Sequence, residues 1–146
     1  MRTIPALIIA MTLGCEHAAV TVQAVTVQPC ELKANLNDWK VVAAPGVKYE
    51  PTECRGQITG YRVSAPNGSD WHLEREMAGY VGDTIKASVR VEPGQGERYI
   101  EIGGDRRYST CDRVEIETTA IEQWNVYKIG GTGSFWIGDA TFYFGP

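Results

Sequence analysis

Five side chains lie where short alternating segments would turn polar or aromatic groups toward solvent. They are His72, Arg90, Tyr99, Glu101 and Tyr127. Because successive side chains of a strand point to opposite faces, each should lie on the face opposite an apolar set. An aromatic ring can stack on the apolar side of a pyranose, and neighbouring charged groups can pair with its hydroxyls. The five residues therefore predict a shallow sugar-binding surface, or else an ordinary solvated face.

Catalytic patterns are missing from the sequence. His72 is the only histidine beyond the N-terminal segment, and there is no Gly-x-Ser-x-Gly or His-Glu-x-x-His pattern. Glu74 and Glu76 are two residues apart, as carboxylates sharing one face of a strand would be, but such pairs are common on ordinary strands. We therefore predict that the protein is not an enzyme.

Short segments with a two-residue rhythm must position these side chains. The clearest runs from Thr84 to Glu92, and similar segments cover 40–44, 57–64, 98–103, 112–118 and 123–129. In the last segment, 134–145, the apolar or small set from Trp136 to Phe144 is expected to face the core. Turn-forming glycine, proline and asparagine separate eight or nine such segments. The pattern predicts an all-β antiparallel sandwich or barrel, with no long helix.

Length and charge limit the function classes. The 146 residues suit one domain with a short extra segment. The net charge of −4 argues against nucleic acid as a partner, because phosphate binding needs a concentrated basic surface.

The N-terminal segment, residues 1–24, has features of a secretory signal peptide. Arg2 precedes a short apolar run, which is too short to span a bilayer as a helix. The sequence before Cys15 also resembles an imperfect bacterial lipobox, so a membrane contact through lipid at Cys15 is an alternative. The segment could instead be a retained arm that docks on a partner protein.

The four cysteines are Cys15, Cys30, Cys54 and Cys111. We predict a bridge between Cys54 and Cys111, because both lie in loop-like surroundings. Such a bridge would be stable in an oxidising compartment. Loss or lipidation of Cys15 would leave an odd number.

Two stretches resemble the galactose-binding-like jelly rolls found in many carbohydrate-binding modules. They are DWHLEREMAGYVGDTIKASVRVEPG (70–94) and EQWNVYKIGGTGSFWIGDATFYFG (122–145). The resemblance implies a jelly-roll sandwich over about residues 30–146. It also implies that the four tryptophans (Trp39, Trp71, Trp124 and Trp136) occupy core or semi-core positions.

In the resembling family, a carboxylate in the last strand often helps to hold a structural calcium ion. Asp139 matches that carboxylate, although Gly138 replaces the aspartate that usually precedes it. Glu31, Asn35 or Asn37 would then supply further oxygens, since calcium takes six to eight. The alternative is a plain solvent-facing Asp139.

The resemblance implies a secreted or cell-surface protein that binds a glycan without catalysis. The alternative is a structural or assembly protein of the virion coat, decoration or fibre type. In that case the jelly roll and the N-terminal arm would contact other subunits.

Overall fold

Alternating apolar and polar residues define the strands in the part of the chain that the structure describes, residues 35–146 of a computed structural model. Branched and aromatic residues favour the extended conformation, and turn residues end each segment. Residues 35–146 contain ten strands: β1 (Lys40–Ala43), β2 (Lys48–Cys54), β3 (Gln57–Ser64), β4 (Asp70–Ala78), β5 (Thr84–Val91), β6 (Arg98–Ile102), β7 (Asp105–Tyr108), β8 (Arg113–Thr119), β9 (Trp124–Thr132) and β10 (Phe135–Gly145).

These strands form two five-stranded sheets. The front sheet has the order β1-β4-β9-β6-β7, and the back sheet has the order β2-β3-β10-β5-β8. All strand pairs in both sheets are antiparallel. Consecutive strands alternate between the sheets from β3 to β6 and from β7 to β10. The arrangement confirms the predicted antiparallel jelly-roll sandwich.

The hydrophobic core lies between the inner faces of the two sheets. Trp71 of the front sheet meets Phe135 of the back sheet, with ring centroids 4.7 Å apart. The indole N–H of Trp71 donates to the carbonyl of Gly133 at 2.8 Å, so its polar group is satisfied. Around this pair the largest fully buried side chains are Leu36, Val63, Leu73, Val89, Ile100, Val114, Tyr127, Ile129 and Ile137. Burying a side chain of this size contributes about 1.5–3 kcal/mol.

A β-bulge in β10 changes which of its side chains face the core. The ladder between β10 and β5 shifts register within residues 138–141. Asp139 there has a φ of +51°, in the left-handed region. Phe135 points inward before the bulge and Phe142 packs against the core after it. The predicted inner face is therefore correct only beyond the bulge, and Trp136 lies on the outer face.

Cys54 and Cys111 lie at opposite edges of the back sheet. Cys54 ends β2, and Cys111 lies in the turn before β8. Because β2 and β8 are the edge strands, four strand spacings of together about 19 Å separate them. The Cα atoms of a disulfide lie within about 7 Å of each other. The topology therefore contradicts the predicted bridge between these two cysteines, although each of them is disulfide-bonded.

The predicted signal peptide or arm (1–24), with Cys15, lies outside the described residues, and so does Glu31. The expectations attached to them stay predictions. Within residues 35–146, no helix has the length and apolar character needed to cross a membrane.

Candidate functional site

The outer face of the front sheet carries a row of charged side chains of alternating sign. The strand register places them side by side across all five strands. In spatial order this charge row consists of Lys40, Glu74, Lys128, Glu101 and Arg106. Opposite charges on directly paired residues contribute about 0.2–1 kcal/mol each, so the row is stabilising and its members restrain one another.

Glu101 is held from two sides within the charge row. The Nε and Nη2 atoms of Arg106 both lie 2.8 Å from its Oε1, and the Nζ of Lys128 lies 3.9 Å from its Oε2. The side chain of Glu101 is only 16% exposed, because its partners cover it. Its carboxylate is therefore fixed on the surface where the sequence predicted it.

His72 and Glu74 form a second polar pair on the same face. The Nε2 of His72 lies 3.0 Å from Oε1 of Glu74. This hydrogen bond lowers the pKa of Glu74 below its usual value, and partial desolvation opposes the effect. Glu74 is therefore ionised at neutral pH and acts as a hydrogen-bond acceptor.

Tyr99 lies on this face but does not offer its ring to a ligand. The Arg106 guanidinium covers it at 3.7 Å from the ring centroid, and the Tyr108 ring packs edge-on at 6.4 Å. Only 3% of Tyr99 is exposed, and burial raises its pKa to about 12. The prediction of Tyr99 as a solvent-facing ligand contact is wrong, because the next strand supplies a cation that stacks on it.

Tyr127 belongs to the core. It is 2% exposed, and its ring contacts Phe142 edge-on at 5.8 Å. Burial raises the pKa of Tyr127 to about 12. The prediction that it faces solvent is wrong, because Lys128 and not Tyr127 lies on the outer face of β9.

Arg90 and Asp139 lie on the back sheet, away from the charge row. The Nη1 of Arg90 is 3.5 Å from Oδ2 of Asp139, so the carboxylate predicted to bind calcium has a guanidinium as its neighbour. The side-chain oxygens of Asn35 and Asn37 accept hydrogen bonds from backbone N–H groups of Asn37 and Ile58. Among residues 35–146 no three His, Cys, Asp or Glu side chains cluster as metal ligands would. Asp139, Asn35 and Asn37 thus have protein contacts, and the implied calcium site, which also involves Glu31, stays a prediction.

A groove runs over the outer face of the front sheet beside the three central members of the charge row. Its volume is about 500 Å³. Polar groups of Glu74, Lys128 and Glu101 line it, and the glycine turn 103–104 leaves it open on the β6–β7 side. Ile121, Glu122 and Trp124 line it where β8 leads into β9. We call this feature the Trp124 groove.

Trp124 is the exposed aromatic residue of the groove. It is 54% exposed, at the start of β9. The expectation of core or semi-core positions holds for Trp39 and Trp71, which are buried, and for Trp136, which is partly buried, and it is wrong for Trp124. A signal for this was present in the sequence, because Trp124 shares the two-residue phase of Lys128. The other face of β9 contains Tyr127, whose ring is apolar enough to fill the core.

Comparison with known proteins finds similar structures, whereas the sequence has no match among family models or curated proteins. The enzymatically active domain of bacteriophage CBA120 tailspike protein 4 matches with a TM-score of 0.56 and 8% identity. That match covers 75% of this chain, which spans only 20% of the tailspike chain.

Carbohydrate-binding modules also match. A CBM4 structure has a TM-score of 0.52 and 13% identity, over 77% of this chain and 88% of that one. A family 35 carbohydrate binding module from Clostridium thermocellum has a TM-score of 0.45 and 11% identity, over 73% and 95%. The described part of the chain has a jelly-roll sandwich fold similar to that of the CBM4 structure. At these identities the likeness establishes the fold alone.

The jelly-roll sandwich brings together only some of the predicted ligand residues. His72, Tyr99 and Glu101 share the outer face of the front sheet, since His72 and Tyr99 flank Gly130 of β9 in the register. Arg90 lies on the other sheet, and Tyr127 is in the core. The front sheet therefore holds the candidate site, with Trp124 added and Tyr99 as a buried support.

Proposed function

We propose that the protein binds a carbohydrate in the Trp124 groove. The observation that carries the proposal is a half-exposed tryptophan beside three charged side chains, two of which are held in place by neighbouring residues. An indole face can cover the C–H face of a pyranose ring, and that contact is favourable because both surfaces are apolar. Glu74 and Glu101 accept hydrogen bonds from hydroxyls, and Lys128 between them donates.

Pre-ordering of the polar groups supports this function. Glu101 is fixed by Arg106, and Glu74 is fixed by His72, each at hydrogen-bonding distance. A ligand that binds there does not have to immobilise these side chains, which would otherwise cost about 0.5–1.5 kcal/mol each. The open shape of the groove suits part of a chain better than a single enclosed sugar.

The electrostatics of the groove support binding without catalysis. Hydrolysis of a glycosidic bond with two carboxyl groups needs one of them to be a proton donor, which requires a raised pKa. The pKa of Glu74 is instead lowered. Glu101 is engaged by a guanidinium and an ammonium group, so the pair lacks an obvious acid.

The direct test is glycan binding by the purified protein and two single variants. We expect Trp124→Ala to weaken binding by about 30-fold, since truncation of an aromatic anchor costs about 2 kcal/mol. Tyr49→Ala is the matched control, because Tyr49 is equally exposed, at 52%, but lies on an edge strand of the back sheet. Glycan arrays and affinity gels would provide the measurement. Equal loss in both variants, or no glycan bound by folded protein, would contradict the proposal.

A glycan-binding protein of this kind would act outside the cytoplasm. Cys54 and Cys111 are both disulfide-bonded, which suits an oxidising compartment. We therefore propose secretion or display at the cell surface. Localisation of the protein in fractionated cells tests this directly, because recovery of the protein in the cytoplasm would contradict export.

A role in assembly is the second candidate, and one observation favours it. Tyr80, Val81 and Ile121 are exposed large apolar side chains on two loops joined by backbone hydrogen bonds. Such a patch can dock on another subunit. Light scattering at about 100 μM tests the alternative: association that Val81→Asp abolishes would support it, and a monomer would not.

A further inference from the structure

Trp136 lies on the outer face of the back sheet, opposite the Trp124 groove. Its indole covers the backbone of β3 and β10, because a Cβ added to Gly60 or Gly138 would come within 2.6 Å of its Cζ2 atom. The indole N–H donates to Oγ1 of Thr52 at 3.0 Å. Trp136 nevertheless stays partly exposed. The indole ring is therefore fixed against the sheet, and part of its surface remains accessible to a ligand.

An ion pair flanks Trp136 on one side. Arg62 is its register partner on β3, and the Nη1 of Arg62 lies 2.6 Å from Oε1 of Glu92. The backbone N–H of Glu92 in turn donates to the carbonyl of Trp136. Both charged side chains are about half exposed. A planar guanidinium and a carboxylate are thus presented next to the ring, with donors and acceptors still open to a ligand.

A second ion pair lies one row further along the same face. Arg90 is the register partner of Gly138, and it contacts Asp139 at 3.5 Å. Asp139 reaches this position only because the bulge holds it at a φ of +51°. A left-handed conformation costs a residue other than glycine about 1 kcal/mol. Strained residues of this type cluster at functional sites, although strain alone does not identify one.

We propose that these five side chains form a second carbohydrate-binding site, the Trp136 platform, consisting of Trp136, Arg62, Glu92, Arg90 and Asp139. A pyranose ring would lie on the indole, and the two guanidinium–carboxylate pairs would bind its hydroxyls. Each arginine has a carboxylate partner, so the platform has no formal net charge. The ligand class is therefore a neutral sugar, since a platform without net charge gives a carboxylated sugar no net attraction, and its carboxylate would have to displace Glu92 or Asp139 from an arginine.

The position of the Trp136 platform would allow the protein to bind two glycan segments, which the Trp124 groove alone does not allow. The two surfaces face outward from opposite sheets, which pack about 10 Å apart in a β-sandwich. One straight oligosaccharide cannot touch both of them. A protein with both sites would hold two glycan segments at once and link them, which raises retention on a polysaccharide through multivalency.

The experiment follows the indole N–H resonances of the three tryptophans other than Trp124 in two-dimensional nitrogen–proton NMR spectra. The protein carries Trp124→Ala to disable the groove, and Trp136→Phe identifies the Trp136 signal. The probes are β-1,4-galactotriose, xylohexaose and cellohexaose, each up to 10 mM. We expect at least one of them to shift the Trp136 signal in a saturable way. The double variant Arg62→Ala/Arg90→Ala should weaken that binding at least tenfold, whereas Lys48→Ala should not.

The outcomes of this experiment test the Trp136 platform independently of the Trp124 groove. Digalacturonic acid should bind at least tenfold more weakly than the best neutral probe, and tighter binding of the acid would refute the neutral ligand class. A Trp136 signal that no neutral probe moves would leave the indole as a cover for two glycines and refute the site. A shift that persists in the folded double variant would also refute the proposed contacts. Failure of glycan binding at Trp124 would not affect these readings, because Trp124 is absent from the tested protein.

Discussion

Arg98 should stabilise the fold although it carries a charge into the interior. It is 3% exposed at the start of β6. Its guanidinium donates to the carbonyls of Glu92 at 3.1 Å, of Gly96 at 3.2 Å and of Gln95. The same group lies over the Phe135 ring at 4.1 Å from the centroid. Burial lowers the pKa of Arg98, yet an arginine remains charged at neutral pH.

The perturbation is Arg98→Met, which keeps the aliphatic stem and removes the donors. Three carbonyls of the β5–β6 connection then lose their partner, and each hydrogen bond to a charged group contributes about 1.5–3 kcal/mol. Removing the charge also ends its desolvation penalty, and water can reach part of the opened loop. We therefore expect a net loss of about 3 kcal/mol in the free energy of unfolding. Arg98→Lys keeps the charge with fewer donors and should lose about half as much.

The assay is urea unfolding followed by tryptophan fluorescence. The curves of the unchanged protein and of each variant are fitted to a linear dependence of the free energy of unfolding on urea concentration. Arg75→Met is the matched control, because Arg75 makes only a 3.8 Å contact with Asp38 and is partly exposed. A loss below about 0.5 kcal/mol in Arg98→Met would refute the reasoning. A loss as large in Arg75→Met would show that any arginine on the scaffold has the same effect.

Three further changes test other parts of the structure. Gly131→Ala should destabilise by about 3 kcal/mol in thermal unfolding, because the new Cβ would lie 1.8 Å from the carbonyl oxygen of Glu97. Tyr127→Ala should cost about 3–5 kcal/mol and Tyr127→Phe little, which checks that the ring fills the core. The lowered pKa of Glu74 adds stability above its ordinary pKa of 4.5, and that stability is lost as pH falls through the lower folded value. Urea unfolding at pH 6 and pH 3 should therefore show a smaller loss for Glu74→Gln than for the unchanged protein.

Most central strands could be predicted from the sequence, and two edge strands could not. β5 is the clearest case, because its apolar residues alternate without interruption and its partners on both sides need that pattern. β2 contains Pro51, and β7 is the charged segment Asp105–Tyr108. Both are edge strands, where one side of the backbone is unpaired and proline and charges are tolerated. A prediction that depends on alternating apolar and polar residues misses such strands, because little of an edge strand is buried and the alternation is not required there.

The candidate site could be predicted only in part, since it depends on which strands become neighbours. Glu101 was assigned correctly to an outer face because its own strand alternates clearly. Its contact with Arg106 depends on β7, which the sequence pattern did not reveal. The same contact buries Tyr99, so the error on Tyr99 has the same origin. Trp124 was missed because composition favours burial of a tryptophan, while the phase it shares with Lys128 favours exposure.

The bulge at Asp139 decides which aromatic side chains of β10 can meet a ligand. With an unbroken two-residue alternation, β10 would have one of two inner faces. One consists of Trp136 and every second residue after it, and the other consists of Phe135 and every second residue after it. The bulge removes this constraint, so Phe135 and Phe142 are both directed inward, although their positions differ by seven, an odd number. Trp136 is left on the outer face, where Gly60 and Gly138 make room for its ring. The strained backbone of one residue thus allows a continuous core and an outward indole in the same strand, and it brings a carboxylate beside that indole.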